Sequence, residues 1–220
     1  MSSNVRSRVL TLPLSEIVKE YNFFTIEECR QIKEYAYKKE EELIREGHKD
    51  NDTYGKSITT NNHNRYNFFK DNPQYVDRLV DFLVQTNKYL IWPIMVQSWV
   101  NIYRKGEGID WHVHLGNMGT DWSANIFIDG PTKPGVNYLI PKKSEITTHT
   151  IENKKGYIHI FPCETMHSVE PLAVNEERIS VGMTIHSYDY IDRPIVSGLA
   201  FNSKREIEDT IILTNEHYYE

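Results

Sequence analysis

The chain has 220 residues, 39% of them hydrophobic and 12% aromatic, which is enough to bury the core of one domain. Its net charge of −6 argues against a function that depends on bulk positive charge, such as binding to nucleic acid or to a membrane surface. With two cysteines, no recognisable signal peptide and no apolar run near the ~20 residues of a membrane helix, we expect a cytoplasmic protein without nucleic-acid or membrane partners.

The N-terminal part of the chain is predicted to be helical. Thr25-Ile-Glu-Glu28 is a capping-box pattern that opens an amphipathic helix to about Glu46. Asn72-Pro73 is a second start signal, because proline is favoured at the first helical position. The polar stretch Gly47 to Asn67 is long for a connection inside a compact domain. We interpret it as either a surface loop or a lid over a site.

The chain from residue 94 onward is predicted to be β. Short runs of β-branched and aromatic residues alternate with turn signals, and no helix-length polar stretch separates them, which favours an antiparallel barrel or sandwich. The predicted strands are Ile94–Tyr103, Ser123–Ile128, Val136–Ile140, Glu145–Ile151, Gly156–Phe161 and Arg178–Ile185. The apolar run 210–213 is interpreted as a late edge strand or as a subunit contact, the latter in a homodimer.

Three histidines and an arginine form the pattern that bears on function. His112-Val113-His114 is followed 53 residues later by His167. Side chains at positions i and i+2 of a strand point to one face, so His112 and His114 can hold one metal ion together with a ligand from a distant strand. Arg178 follows His167 by eleven residues and lies in an apolar strand, where we expect it to be the buried partner of an anion.

These residues resemble the Fe(II)/2-oxoglutarate-dependent dioxygenases, most closely the prolyl-4-hydroxylase-like branch and its small bacterial and phage relatives. The motifs that carry the resemblance are Tyr103-Arg-Lys-Gly106, His112-Val-His114, the run from Phe161 to Pro171, and Arg178-Ile-Ser180. The resemblance implies an α+β, mainly β fold: a double-stranded β-helix, the jelly-roll barrel that cupins share, with N-terminal supporting helices. We expect one domain, with helical support and a polar loop over 1–92, the β core over 93–188 and a tail over 189–220.

The resemblance also implies two binding sites. Fe(II) is held in these enzymes by two histidines and a carboxylate, which leaves positions for 2-oxoglutarate and O2. His112 and His167 match the two histidines. The distal carboxylate of 2-oxoglutarate is held by a guanidinium, assisted by a tyrosine and by other polar groups that face the pocket. The candidates for these cosubstrate contacts are Arg178, Tyr103, Ser180 and Asn125.

The chain departs from the family at the carboxylate ligand. Where His-X-Asp or His-X-Glu is usual, this chain has His114. Either a third imidazole binds the iron, or Asp110 or Asp121 supplies the carboxylate. A neutral imidazole in this place would leave the site one unit more positive.

The reaction implied by the resemblance converts 2-oxoglutarate and O2 to succinate and CO2 while a C–H bond is hydroxylated, in a small molecule or peptide that the sequence does not identify. One alternative is a cupin-type metal enzyme that does not use 2-oxoglutarate, because Gly106 to His114 and Gly156 to His167 reproduce much of the two cupin motifs. The glutamate that cupins carry after the His-X-His pair is missing here. The other alternative is a barrel used only for binding.

The remaining histidines are interpreted as structural or solvated. His149 and His159 lie in predicted strands and are expected to face outward. Several other aromatic and polar residues near the motifs are expected in the core or in the pocket wall. They are Trp99, Asn101, Trp111, Trp122 and Phe127.

Overall fold

A computed structural model of the chain describes residues 17–49, 56–86, 94–114, 121–142, 145–187 and 211–213. The strands in these ranges are β1 (Lys19–Asn22), β2 (Ile94–Tyr103), β3 (Ile109–His112), β4 (Trp122–Asp129), β5 (Val136–Lys142), β6 (Glu145–Ile151), β7 (Tyr157–Pro162), β8 (His167–Val169), β9 (Arg178–Ser187) and β10 (Ile211–Leu213). The helices are α1 (Ile26–Arg45), α2 (Ile58–Asn61), α3 (Phe68–Asp71) and α4 (Val76–Thr86), with 3-10 turns at His63–Arg65 and Pro73–Tyr75.

The strands form two antiparallel sheets. The large sheet has the order β1-β7-β4-β9-β2-β10, and the small sheet has the order β3-β8-β5-β6. Neighbouring strands in space are mostly distant in the chain, as in a double-stranded β-helix, so the fold predicted from the sequence is confirmed. The six predicted strands are all present, with ends that differ by at most two residues.

Helix α1 begins at the predicted capping box. The backbone N–H of Glu28 donates to the Thr25 hydroxyl at 3.2 Å, and the backbone N–H of Thr25 donates to the Glu28 carboxylate at 2.8 Å. Ile32, Ala36 and Leu43 are buried, and their spacing places them on one face of the helix. The amphipathic helix predicted from this pattern is therefore confirmed.

The helices pack on the outer face of the large sheet. Ile32 of α1 and Leu79 of α4 are buried in one apolar cluster with Val100, Ile126 and Val181 from the central strands of that sheet. This contact is the supporting role predicted for the N-terminal helices. Because one face of the large sheet is covered by helices, its other face is left to face the small sheet.

Residues 56–67, which we call the sealing segment, are not a solvated surface loop. Ser57, Thr59 and Thr60 are buried, and the segment lies along β2. Its polar side chains bind main-chain groups of β2. The Ile102 N–H donates to the Ser57 hydroxyl at 3.3 Å, and the Asn67 amide donates to the Val96 carbonyl at 2.8 Å. Residues 50–55 of the predicted loop lie outside the described residues.

The hydroxyl of Tyr66 is the central contact of the sealing segment with β2. It accepts the Val100 N–H at 3.0 Å, and it lies 3.3 Å from the Val100 carbonyl and 3.2 Å from the Thr59 carbonyl. The ring is 5% exposed, so water cannot replace these bonds without opening the segment.

We expect the Tyr66→Phe variant to lose about 1–3 kcal/mol of unfolding free energy, because a buried N–H of β2 is left without an acceptor. Urea denaturation measures this loss. The control is Tyr35→Phe, which removes a hydrogen bond to the partly exposed Asp71 carboxylate. Equal small losses in the two variants would contradict the sealing role of Tyr66.

The C-terminal run 210–213 contributes β10 in the described residues. Ile211 pairs with Val96 and Leu213 with Ile94, at the start of β2. This pairing is the late edge strand that the sequence suggested, while the subunit contact stays a prediction. The rest of the tail predicted over 189–220 lies outside the described residues. Within the described ranges, no helix is both long and apolar enough to cross a membrane.

Candidate active site

The candidate active site is a cavity of about 570 Å³ between the two sheets. Inward side chains alternate along β2 and β9, and the register of these strands places Arg178 opposite Tyr103 and Gly182 opposite Trp99. All four residues line the cavity. Among the described lining residues, Arg178 is the only lysine, arginine, aspartate or glutamate. The cavity therefore has one fixed charge in an otherwise uncharged wall of mixed polar and apolar side chains.

The three predicted histidines meet in this cavity. His112 ends β3 and pairs with His167, the first residue of β8. His114 follows β3, and its backbone N–H donates to the Cys163 carbonyl at 3.0 Å. The ring centroids of His112 and His167 are 4.2 Å apart, and His114 lies 5.3 Å from the first and 5.2 Å from the second. One nitrogen from each ring lies within 4.8 Å of the others, which is suitable for a shared metal ion.

Backbone carbonyls fix the tautomer of two of these rings. His112 Nδ1 lies 2.8 Å from the Asp110 carbonyl oxygen, and His167 Nδ1 lies 2.9 Å from the Thr165 carbonyl oxygen. A carbonyl oxygen can only accept, so both Nδ1 atoms carry the proton. Nε2 is then the unprotonated nitrogen on each ring, ready to bind a metal.

Burial keeps the three imidazoles neutral. It lowers the pKa of His167 to about 3, with the neighbouring His112 adding to the effect. Burial also lowers the pKa of His112, and it lowers that of His114 well below the usual value, together with the nearby His167 and His112 rings. Neutral imidazole is the form that binds metal, so at neutral pH the cluster needs no deprotonation.

The two aspartates considered as alternative ligands lie apart from the histidine cluster. Asp110 is exposed, and its contact with His112 is through the backbone carbonyl. Asp121 is 2% exposed, and its Oδ2 lies 3.1 Å from His186 Nδ1. Among the described residues, the group able to share a metal consists of three histidines without a carboxylate. This geometry favours the third imidazole, His114, over either aspartate.

Arg178 lies at the wall of the same cavity and is 1% exposed. Its Nη1 donates to the Ser180 hydroxyl at 3.2 Å and its Nη2 to the Asn153 amide oxygen at 3.3 Å, while its Nε has no partner within the described structure. The guanidinium carbon lies 5.8 Å from the Phe127 ring centroid. Burial lowers the pKa of Arg178 to about 10, so the group stays charged at neutral pH. A buried cation without a carboxylate partner among the described residues is suited to an anionic ligand.

Tyr103 and Ser180 both lie beside this guanidinium. Burial raises the pKa of Tyr103 to about 12, and the Arg178 charge and a hydrogen bond with Thr60 oppose that rise. The Ser180 hydroxyl accepts from Arg178 and, at 3.2 Å, from the Asn101 amide. Both of its lone pairs are therefore used, and its own hydrogen is left to donate. The guanidinium and the hydroxyls of Ser180 and Tyr103 therefore lie together on the inner face of β2 and β9.

Trp99 divides the cavity wall between the histidines and Arg178. Its ring centroid lies 5.9 Å from that of His114, and its Nε1 donates to the Asn101 side-chain oxygen at 3.0 Å. A Cβ atom at Gly182 would lie 2.9 Å from the Trp99 ring, so glycine at this position makes room for the indole. Asn125 lines the cavity from the neighbouring strand β4, as predicted.

The sequence did not indicate that the sealing segment contributes to this wall. Thr60, Asn61, His63 and Asn64 all line the cavity. A signal was present in the sequence, because residues 57–64 contain no Asp, Glu, Lys or Arg in a chain with 25% charged residues. A polar but uncharged run is easier to bury than a charged one, since its groups need only hydrogen-bond partners.

Two expectations about side-chain direction were wrong. His159 is 3% exposed and lies between the sheets, with Nδ1 3.1 Å from the Tyr138 hydroxyl and Nε2 3.2 Å from a Glu20 oxygen. Its strand β7 is central in the large sheet, and alternation puts His159 on the same inner face as Phe161. Trp111, expected in the core or pocket wall, is 42% exposed, because it precedes the inward-facing His112 on β3 and points to the opposite face.

Residues 97–183 match the model of a protein family described as "Putative 2OG-Fe(II) oxygenase". The matched range contains the histidine cluster and Arg178. No curated protein matches the chain significantly.

Solved structures with a similar fold include two prolyl hydroxylases and an α-ketoglutarate-dependent carbocyclase. The prolyl-4-hydroxylase of Pseudomonas putida is 13% identical, with a TM-score of 0.52 over 77% of this chain and 92% of that chain. The 2-oxoglutarate complex of a viral collagen prolyl hydroxylase from Paramecium Bursaria Chlorella virus-1 is 16% identical, with a TM-score of 0.53 over 77% and 95%. The α-ketoglutarate-dependent carbocyclase SnoK from nogalamycin biosynthesis is 12% identical, with a TM-score of 0.55 over 76% and 78%. At these identities the likeness concerns the fold alone.

The family match adds to the fold likeness, because it covers the three histidines and Arg178 of the cavity. Fe(II), 2-oxoglutarate and O2 are the cofactors that this family implies, and the three-histidine cluster is suited to the metal. The family match over residues 97–183, the double-stranded β-helix and the histidine cluster together support the resemblance to the Fe(II)- and 2-oxoglutarate-dependent oxygenase superfamily.

Proposed function

We propose that the protein hydroxylates an unactivated C–H bond of its substrate and releases succinate and CO2 from 2-oxoglutarate. The observation that carries the proposal is the shared cavity: three neutral imidazoles converge on one position, and a buried guanidinium without a carboxylate partner in the described structure lies in the same space. A metal site alone would fit many barrel enzymes. The buried cation adds the requirement for an anionic ligand beside the metal.

The histidine cluster fits Fe(II) with one departure from the usual ligand set. His112 and His167 would bind through Nε2, because their Nδ1 hydrogens are held by backbone carbonyls. His114 would supply the third nitrogen in place of a carboxylate. Bound iron would provide the site for O2 activation and for chelation of 2-oxoglutarate. With three neutral ligands the site keeps the full charge of the ion, which favours anionic chelators.

The residues around Arg178 fit the distal carboxylate of 2-oxoglutarate. The unpartnered Nε–H of Arg178 and the remaining hydrogen of Ser180 are donors that a carboxylate can accept. The Tyr103 hydroxyl stays protonated, since burial raises its pKa to about 12, and it lies beside the same position. Asn125 is placed on the opposite side of β9, on strand β4, where it can contact the same ligand.

The cavity wall can position a substrate and limit the access of water. Trp99 and residues of the sealing segment line the cavity, and Trp99 is 8% exposed. A closed, weakly polar environment strengthens the charge-assisted bonds made inside it. We propose a small molecule or a peptide as the substrate. Two structures with this fold are named prolyl hydroxylases, which supports C–H hydroxylation but not a particular substrate.

A cupin-type metal enzyme that does not use 2-oxoglutarate is the second candidate. Three histidines without a carboxylate favour it, because they depart from the ligand set usual in 2-oxoglutarate oxygenases. The buried Arg178 argues against it, since a reaction without a dicarboxylate leaves the desolvated guanidinium unexplained.

One spectroscopic measurement distinguishes the 2-oxoglutarate oxygenase from the cupin-type enzyme. Fe(II) and then 2-oxoglutarate are added to the metal-free protein without oxygen, and we expect a weak visible charge-transfer band that appears only after the second addition. With O2 admitted, succinate should form. Succinate in place of 2-oxoglutarate is the control, because it lacks the chelating keto acid. Metal binding without a band would favour the cupin-type enzyme, and no metal binding would contradict both.

A further inference from the structure

A closed set of side-chain contacts joins the sealing segment to the residues around Arg178. The Thr60 hydroxyl donates to the Asn101 side-chain oxygen at 2.8 Å, and the Trp99 Nε1 donates to the same oxygen at 3.0 Å. His63 Nδ1 lies 2.9 Å from the Thr60 carbonyl, and the His63 ring centroid lies 5.3 Å from that of Trp99. Thr60, His63, Trp99 and Asn101 therefore form a ring of contacts within the cavity wall.

This ring is connected to the proposed cosubstrate site in two places. The Asn101 amide donates to the Ser180 hydroxyl at 3.2 Å, and Ser180 accepts from Arg178. The Thr60 hydroxyl also lies beside the Tyr103 hydroxyl. Thr60 lies outside the barrel strands, and its side chain is next to both Asn101 and Tyr103.

Because these side chains are buried, they cannot exchange their hydrogen-bond partners for water. Thr60 is 4% exposed and Asn101 is 8% exposed, so each side chain must find its partners inside the protein. The Asn101 oxygen accepts two hydrogen bonds while its amide donates to Ser180, which fixes the orientation of the amide plane. Any ligand that fixes Ser180 and Tyr103 therefore restricts Asn101 and Thr60 as well.

We propose that Thr60 is a positioning residue that couples 2-oxoglutarate binding to the part of the sealing segment that forms the substrate wall, residues 58–65. The inference rests on the proposed use of 2-oxoglutarate at Arg178. A dicarboxylate held by Arg178, Tyr103 and Ser180 fixes Asn101 through its hydrogen bond to Ser180. Because Thr60 is hydrogen-bonded to Asn101, it then restricts the motion of the helical turn that contains Asn61, His63 and Asn64. The wall that faces the substrate is then better ordered after the cosubstrate has bound.

Hydrogen exchange of residues 57–65 tests the coupling without relying on turnover. The parent protein is measured anaerobically with Fe(II), with and without 2-oxoglutarate, and calorimetry records cosubstrate binding under the same conditions. We expect 2-oxoglutarate to slow exchange in this segment by roughly 5-fold or more, the lower end of typical coupling between linked sites. In the Thr60→Val variant, which keeps the shape and loses the hydroxyl, the slowing should disappear while 2-oxoglutarate still binds.

Two variants serve as controls. Thr60→Ser keeps the hydroxyl and should restore the response. Thr59→Val lies on the same helix, where the hydroxyl of Thr59 contacts Ser57 and not Asn101, so it should keep the response. Retained slowing in Thr60→Val, or lost slowing in Thr59→Val, would overturn the proposal even if 2-oxoglutarate binds normally. Absence of 2-oxoglutarate binding in the parent would overturn the proposed function, and this inference with it.

Discussion

The His167→Ala variant is expected to lose tight metal binding and, with it, all oxygenase activity. His167 is 8% exposed, its Nε2 is set free for a metal by the Nδ1 contact with the Thr165 carbonyl, and it lies between His112 and His114. Loss of an outer hydrogen-bond partner of a metal ligand costs roughly 10–100-fold in affinity. Loss of the ligand itself should cost more than that. Anaerobic titration with Fe(II), followed by measurement of the bound metal, gives the affinity.

Matched variants separate a ligand effect from a packing effect. His149→Ala removes another strand histidine, whose Nε2 lies 2.9 Å from the Thr147 hydroxyl, and it should bind metal as the parent does. His114→Asp introduces the carboxylate that relatives carry at this position and should retain metal, whereas His114→Ala should weaken it. Parent-like affinity in His167→Ala would contradict the three-histidine site. Parent-like affinity in His114→Ala would restrict the ligands to His112 and His167.

The Arg178→Met variant is expected to bind 2-oxoglutarate at least about 100-fold more weakly. Two hydrogen bonds to a charged carboxylate contribute roughly 1.5–3 kcal/mol each, and a tenfold change in affinity corresponds to about 1.4 kcal/mol. Metal binding should be unchanged, because Arg178 is not part of the histidine cluster. The charge-transfer band, titrated with 2-oxoglutarate in the presence of saturating Fe(II), measures this affinity.

We also expect the Arg178→Met substitution to leave the stability of the ligand-free protein undiminished. Arg178 is a buried charge without a carboxylate partner in the described structure, so replacing it with an apolar side chain of similar length should not lower the melting temperature of the ligand-free protein. The control is Arg104→Met. Arg104 forms ion pairs with Glu40 and Glu177, so its loss should reduce stability and leave 2-oxoglutarate affinity unaltered. A destabilised Arg178→Met variant with normal cosubstrate affinity would contradict the anion site.

Much of the site was predictable because its residues follow the period of a β-strand. Arg178 and Ser180 are two positions apart on β9, so alternation places both on one face. His112 and His114 have the same spacing and meet in the cavity, although His114 lies just beyond the end of β3. The capping box at Thr25 fixes the start of α1 in a similar way, since its two hydrogen bonds involve residues only three positions apart. Local patterns of this kind can be recognised in the sequence before the fold is known.

The parts that were not predictable depend on contacts between distant residues. Strands β3 and β8 have four and three residues, too few for a period to emerge, although they carry His112 and His167. The inward direction of His159 depends on which face of β7 packs against the small sheet, where His159 meets Tyr138, and the sequence of β7 does not encode this choice. The sequence left open whether the sealing segment is a surface loop or a lid. Its polar side chains bind partners on β2, and most of these partners are more than thirty residues away in the chain.

The polar contacts along β2 also bear on the solubility of the protein. An unpaired strand edge is a template for pairing with another chain, and β2 is a ten-residue strand rich in apolar side chains. Ser57, Tyr66 and Asn67 occupy main-chain groups that an incoming strand would otherwise bind. A change that releases the sealing segment would therefore uncover an aggregation-prone edge together with the cavity wall. Loss of soluble protein, rather than slower turnover, would be the first visible sign of damage to this segment.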